Sequence, residues 1–150
     1  MSSLFNKLDS ERIVARIVTL QSGQKAVWGR MTLEQMLLHC QQPFKVVFEE
    51  LKLKRSLVAI LLGGLVKKST LNDEPFKANL PTATEFKTNH LNPEFETEKK
   101  NLIACIQKFQ SAGPEGVTKQ PHPFFGKMTD KEWDKLLYKH LDHHLRQFGA

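Results

Sequence analysis

The sequence predicts an all-α fold, a four-helix bundle with an additional short apolar helix, in one domain over residues 1–150. Three observations carry that expectation. Four segments are long enough to be main helices and repeat apolar residues every three or four positions. Two of those segments open on a capping box. No stretch sustains the alternation of a half-buried strand, so helix packed on helix is the layer arrangement left.

Asp9 or Ser10 is the expected cap of the first helix, which carries Ile13, Val14, Ile17, Val18 and Leu20 and closes at Ser22-Gly23. The second helix begins at Thr32, where Gln35 completes a capping box, and runs through Phe48. Pro43 withholds a donor from the carbonyl of His39, which predicts a bend there. A shorter apolar helix is expected from about Ser56 to Lys68. A polar stretch rich in Asn, Pro and Thr then leads to Pro93 and is long enough to be a functional loop or cover. Pro93-Glu94 opens the third main helix, with Phe95, Leu102, Ile103, Ile106 and Phe109 inward and Gly113-Pro114 at its end. After a proline-rich connection, Thr129 and Glu132 form a second capping box, and the last helix runs to Phe148 with Gly149 beyond.

Composition narrows the function classes. A chain of 150 residues with 40% hydrophobic and 25% charged residues can bury a core and lacks the signature of disorder. The N-terminal segment has no long apolar run behind a basic start, so a cytoplasmic location is the expectation. The apolar run Leu57 to Val66 is ten residues, against the ~20 that a membrane span needs. Cys40 and Cys105 are too few for a disulfide framework and read as buried thiols. The net charge of +6 is spread over small clusters such as Lys52, Lys54, Arg55 and Lys67, Lys68, and no phosphate-binding loop or nucleophile elbow accompanies them. Nucleic acid is therefore not an expected partner.

Four of the six histidines fall on the two capped helices. On the last helix, Trp133, Leu136, Leu137, Leu141 and Phe148 define the inward arc, with His140, His144 and Gln147 in it or at its edge and His143 toward the polar side. His140 and His144 lie one turn apart on one face, so two imidazoles can converge on one ion. Two hydrogen-bonded core histidines are the competing reading, since a buried ring needs some partner. His39 lies at the edge of the apolar arc of Met36, Leu37, Cys40, Phe44 and Val47, from which it can face the interior; Cys40 is about 100° further round and reads as core. His90 and His122 sit in loops and are expected to be solvated. The two capped helices also follow similar segments, Gly29-Arg-Met-Thr32 and Gly126-Lys-Met-Thr129, with His39 seven and His140 eleven residues after their caps. Both offsets return close to the phase of the cap.

Three segments together carry a family resemblance: Trp28-Gly-Arg-Met-Thr32 through His39, His122 through Thr129, and Tyr138 through Gly149 with its His140-x-x-x-His144 and Gln147. With these the chain resembles the DinB-like (YfiT-type) superfamily of four-helix metal-binding proteins, and specifically an uncharacterised bacterial branch of it. The resemblance implies a divalent ion, zinc or nickel, held by one histidine of the second helix and two of the last, here His39, His140 and His144. Arg146 stands where the superfamily often has Gly, and the apolar helix is not a general feature of it. Characterised relatives act as thiol S-transferases or as metal-dependent hydrolases, which are the two options of an ion that acidifies a bound thiol or water. No carboxylate is spaced as a general base, since Glu34, Glu50 and Asp142 lie away from the histidine faces, and this favours the thiol. A small-molecule substrate, specifically a low-molecular-weight thiol, is then the expected partner. A non-catalytic metal- or ligand-binding bundle is the reading from another class. Trp28, Trp133 and Phe125 are candidate pocket walls. The Leu57 to Val66 segment reads as packed over the bundle, as a homodimer face or as a membrane-surface contact.

Overall fold

A computed structural model describes residues 2–55, 57–79 and 84–150. Five α-helices follow in order: α1 (Lys7–Thr19), α2 (Leu33–Val47), α3 (Leu57–Thr70), α4 (Phe95–Ala112) and α5 (Asp130–Gln147). Two single 3₁₀ turns, Thr84–Phe86 and Pro114–Gly116, precede and follow α4. Among the described residues there is no strand, only an isolated antiparallel bridge between His122 and Gly126. The fold is all-α.

The capping boxes form at both expected places. Thr32 accepts from the Gln35 amide while the Gln35 side chain takes the Thr32 amide, and Thr129 and Glu132 do the same. The start of α1 differs from expectation. Asn6 is the cap, accepting from the Asp9 amide, because Asp9 sits in the first turn with its carboxylate on the Ser3 amide and Arg12, while Ser10 is buried. The helix also closes at Thr19, before Ser22-Gly23, where Lys99 of α4 donates to the carbonyls of Val18 and Leu20 and satisfies the helix end. Glu94 caps α4 through the amides of Glu96 and Thr97. Pro43 is accommodated within α2, which continues to Val47.

The core lies where α2 packs on α4 and α5, and α1 on α4 and α5. Ile13, Ile17, Leu37, Phe44, Ile106, Trp133 and Leu137 are completely buried there. Each such large apolar side chain contributes roughly 1.5–3 kcal/mol by leaving water. Phe109 is stacked on Phe5 and meets Phe44 edge-on, which ties the N-terminal segment, α2 and α4 to one aromatic cluster. Asp134 of α5 adds a second tie by accepting from the Leu4 amide at 2.7 Å. Cys40 is buried, Cys105 is half-buried, and neither is in a disulfide.

Helix α3 stands outside this packing. It was expected to begin at Ser56, which lies outside the described residues, as do residues 80–83 of the polar stretch. The reading of α3 as packed over the bundle is corrected: its leucines face outward, because the helix docks by its small residues. Among the described residues no helix is long and apolar enough to cross a membrane.

Candidate metal centre

The capping box at Thr32 starts the helix that carries His39, and the box at Thr129 starts the helix that carries His140 and His144. Where α2 packs on α5 the three rings meet. One ligating atom from each lies within 4.8 Å of the others. The ring centroids are 4.9 Å apart for His39 and His140, 4.8 Å for His39 and His144, and 4.7 Å for His140 and His144. His39 and His144 are buried and His140 is half-buried.

The far nitrogens of two rings are fixed by acceptors. His39 Nδ1 lies 2.9 Å from the carbonyl oxygen of Phe86, and His144 Nδ1 lies 2.8 Å from Gln147 Oε1. A ring nitrogen facing a carbonyl oxygen must carry the proton, so each neutral ring keeps its lone pair on Nε2. Gln147 is itself oriented, because its Nε2 donates to the Trp28 carbonyl at 2.8 Å and so turns Oε1 toward His144. Gly29 makes that bond available. Its φ is +83°, and a Cβ there would stand 2.6 Å from Gln147 Nε2. The similar Gly126 also has positive φ, so the paired segments share a left-handed glycine as well as a capping box.

His140 is arranged differently. Its Nε2 lies 3.0 Å from His39 Nε2, and its Nδ1 is buried with no hydrogen-bond partner among the described residues. Since His39 Nε2 bears a lone pair, the proton between the two rings belongs to His140, which leaves its Nδ1 lone pair unsatisfied. Burial lowers the pKa of His39, opposed by the Phe86 hydrogen bond. Burial, followed by the neighbouring rings, takes His140 well below its usual value, and burial with His39 takes His144 to about 3. All three are neutral at pH 7, the form in which imidazole ligates a metal.

The other expected residues are distributed as follows. Cys40 is core, with its Sγ against Met36 Sδ at 3.5 Å and its thiol pKa pushed up by burial. His90 is exposed, as expected. His122 is not solvated as expected: its Nδ1 accepts the Phe124 and Phe125 amides at 3.0 and 3.2 Å, and its ring stacks on Phe125 and leans on Trp133. It pins a tight turn. His143 is likewise buried, against Trp28, Phe76 and His144, because residues 71–79 fold over the face of α5 that looked polar. Lys139 holds that cover through the Thr70 and Asn72 carbonyls. Of the candidate walls, Trp28 lines a cavity beside the histidines, Trp133 is wholly core and Phe125 stacks on His122. The three carboxylates set aside as bases stay outside the cluster, and Asp142 pairs with Arg16 and Arg146 while Glu50 pairs with Lys108.

The cavity holds about 280 Å³ between His143, His144, Trp28, Phe86, Arg30 and Lys87. Among the described residues, two cations and no carboxylate line it. The Phe86 carbonyl and the cover residue Phe76 had no signal in the sequence, since a backbone acceptor can belong to any residue type. Gln147 did, by its spacing from His144.

A family model described as "Protein of unknown function (DUF1569)" matches residues 2–150. The chain belongs to the DUF1569 family. No curated protein and no solved structure matches it. For this DUF1569 member the cluster itself must therefore carry the functional reading. The donor set fits a divalent ion of the zinc or nickel type: three neutral imidazoles from two helices, two of them held by outer acceptors, with no fourth protein ligand among the described residues.

Proposed function

We propose that this chain is a divalent-metal-dependent enzyme of the DinB-like type, in which α1, α2, α4 and α5 form the four-helix bundle and His39, His140 and His144 hold one zinc or nickel ion. The supporting observation is the convergence of three neutral rings whose lone-pair nitrogens are set by Phe86 and Gln147. His140 Nδ1 has no hydrogen-bond partner among the described residues, so either tautomer of this ring is open to it. Binding in which all three rings ligate through Nε2 requires His140 to carry its proton on Nδ1, ending the shared proton with His39.

Such an ion supplies Lewis acidity that brings a thiol or water to its anionic form near neutral pH. The chain's own groups do the rest. Phe86 and Gln147 aim two ligands, while Trp28, Phe86 and His143 limit water at the cavity beside them. Arg30 and Lys87 give that cavity a positive wall that favours a negatively charged substrate. Among the described residues the cluster holds no carboxylate to serve as base, which favours a thiol S-transferase acting on a low-molecular-weight thiol. A reducing cytoplasm, in keeping with two free cysteines, is the setting it needs.

The test is conjugation of a small thiol to an electrophile by protein loaded with zinc or nickel. Turnover that needs both the metal and the thiol supports the reading. Ester or amide turnover without thiol transfers it to the hydrolase alternative, and ligand-induced stabilisation with no turnover of either kind transfers it to a binding module.

A further inference from the structure

We propose that α3 is an interfacial anchor which lays its outer face into the surface of an anionic lipid bilayer. A helix of a globular domain ordinarily buries its large apolar residues and exposes its small ones. Helix α3 does the reverse. The stripe at Ala59, Gly63, Lys67 and Thr70 faces the protein, and at Gly63 an added Cβ would collide with the backbone carbonyl oxygen of Phe124. Lys67 fastens the stripe by donating to the Lys127 carbonyl at 2.9 Å and pairing with Glu132 at 2.8 Å. Leu57, Leu61 and Leu65 are left 79%, 79% and 72% exposed, with Ile60, Leu62 and Val66 beside them. The helix is thus held in place with its apolar face outward, where exposed leucines of this density mark an interaction surface.

The charge around that face selects the occupant. Residues 51–72 contain five cations and no acid. Lys52, Lys54, Arg55 and Lys68 are exposed and form no ion pair among the described residues. Pairing α3 with α3 of a second copy would gather these cations at the contact, in either orientation, with nothing to offset them. An anionic lipid surface offsets them at both ends of the helix while its acyl region takes the leucines. At 1.5 Å per residue, fourteen residues reach about 21 Å, short of the ~30 Å hydrocarbon core, so the helix lies along the surface.

The test is flotation of the full chain with vesicles of phosphatidylcholine alone or mixed with phosphatidylglycerol. Wild type is expected to float with the anionic vesicles in dilute salt, to stay behind with the neutral ones, and to be released by high salt. Leu61→Glu with Leu65→Glu changes two exposed residues; it should leave the circular dichroism and melting curve unchanged and cut flotation roughly ten-fold or more. Lys52→Gln, Lys54→Gln and Lys68→Gln together should cut it several-fold and remove the salt dependence. Wild type that ignores anionic vesicles overturns the proposal, as does a leucine variant that floats like wild type. A wild-type dimer that the leucine variant converts to monomer also overturns it and assigns the face to a second copy.

Discussion

His39 of α2 and His140 of α5, 101 positions apart in the chain, bring their Nε2 atoms to 3.0 Å. Two neutral rings at that distance share one proton, and His140 Nδ1 is left unsatisfied as the consequence. A cation placed between the two rings would use both Nε2 lone pairs once the His140 proton sits on Nδ1. Four further relationships in the fold lead to separate predictions.

Gln147 joins the His144 ring to the Trp28 carbonyl. Gln147→Leu keeps the ligand set but removes the acceptor that fixes His144. Metal affinity, measured by competition with a chelator, should fall about 10–100-fold. Unchanged affinity would remove Gln147 from the account.

Gly29 lets Gln147 approach. Gly29→Ala should cost roughly 1–2 kcal/mol from backbone strain at positive φ and also weaken metal binding by displacing the amide. Denaturant titration and chelator competition measure the two effects. Combined with Gln147→Leu, the loss in affinity should be less than the product of the single losses, because both act on one hydrogen bond. Fully multiplicative losses would mean that the two residues act separately.

His122 is held neutral by burial, and then by the nearby Arg55 charge, with its pKa lowered from 6.5 to about 3. A group lowered in this way takes up its proton on unfolding. Stability is therefore lost as pH falls below about 6.5, by up to ~1.4 kcal/mol per pH unit until the folded pKa is reached. His39, His140 and His144 act in the same direction. His122→Asn should accordingly flatten, without abolishing, the pH dependence of urea unfolding between pH 6 and pH 4 in metal-free protein, on the order of one proton's worth of slope. A slope equal to wild type would contradict the assignment.

Phe109 sits between Phe5 and Phe44, with centroids at 4.8 and 5.9 Å. Phe109→Ala should destabilise by about 3–5 kcal/mol, read by denaturant titration. A loss well under 1 kcal/mol would mean that this cluster does not join the N-terminal segment to the helices.

What could be read in advance follows the range of the interactions. Both capping boxes are local, three residues from donor to acceptor, and Thr32 and Thr129 begin their helices as expected. The cap of α1 is also local but was expected at Asp9 or Ser10; contacts of Asp9 with Ser3 and Arg12 leave the role to Asn6. The inward placement of His140 and His144 was legible from helical phase, whereas phase put His39 only at the edge of its apolar arc and the resemblance joined it to the pair. The burial of His122 and His143 was not, since it depends on how irregular segments fold back, and such segments carry no period. Phe86 was invisible because only its backbone oxygen acts. The outward face of α3 was ambiguous for a related reason: its apolar residues run nearly all round, so only the close approach at Gly63 shows which side docks.

Metal content is the most direct measure of the central claim. Protein purified without an immobilised-metal column and passed through mild desalting should carry about one zinc or nickel ion per chain by mass spectrometry, and His39→Ala, His140→Ala and His144→Ala should each lose most of it while remaining folded. Wild type free of any stoichiometric ion that also fails to take one up on titration, or three variants that retain it, would contradict the metal centre.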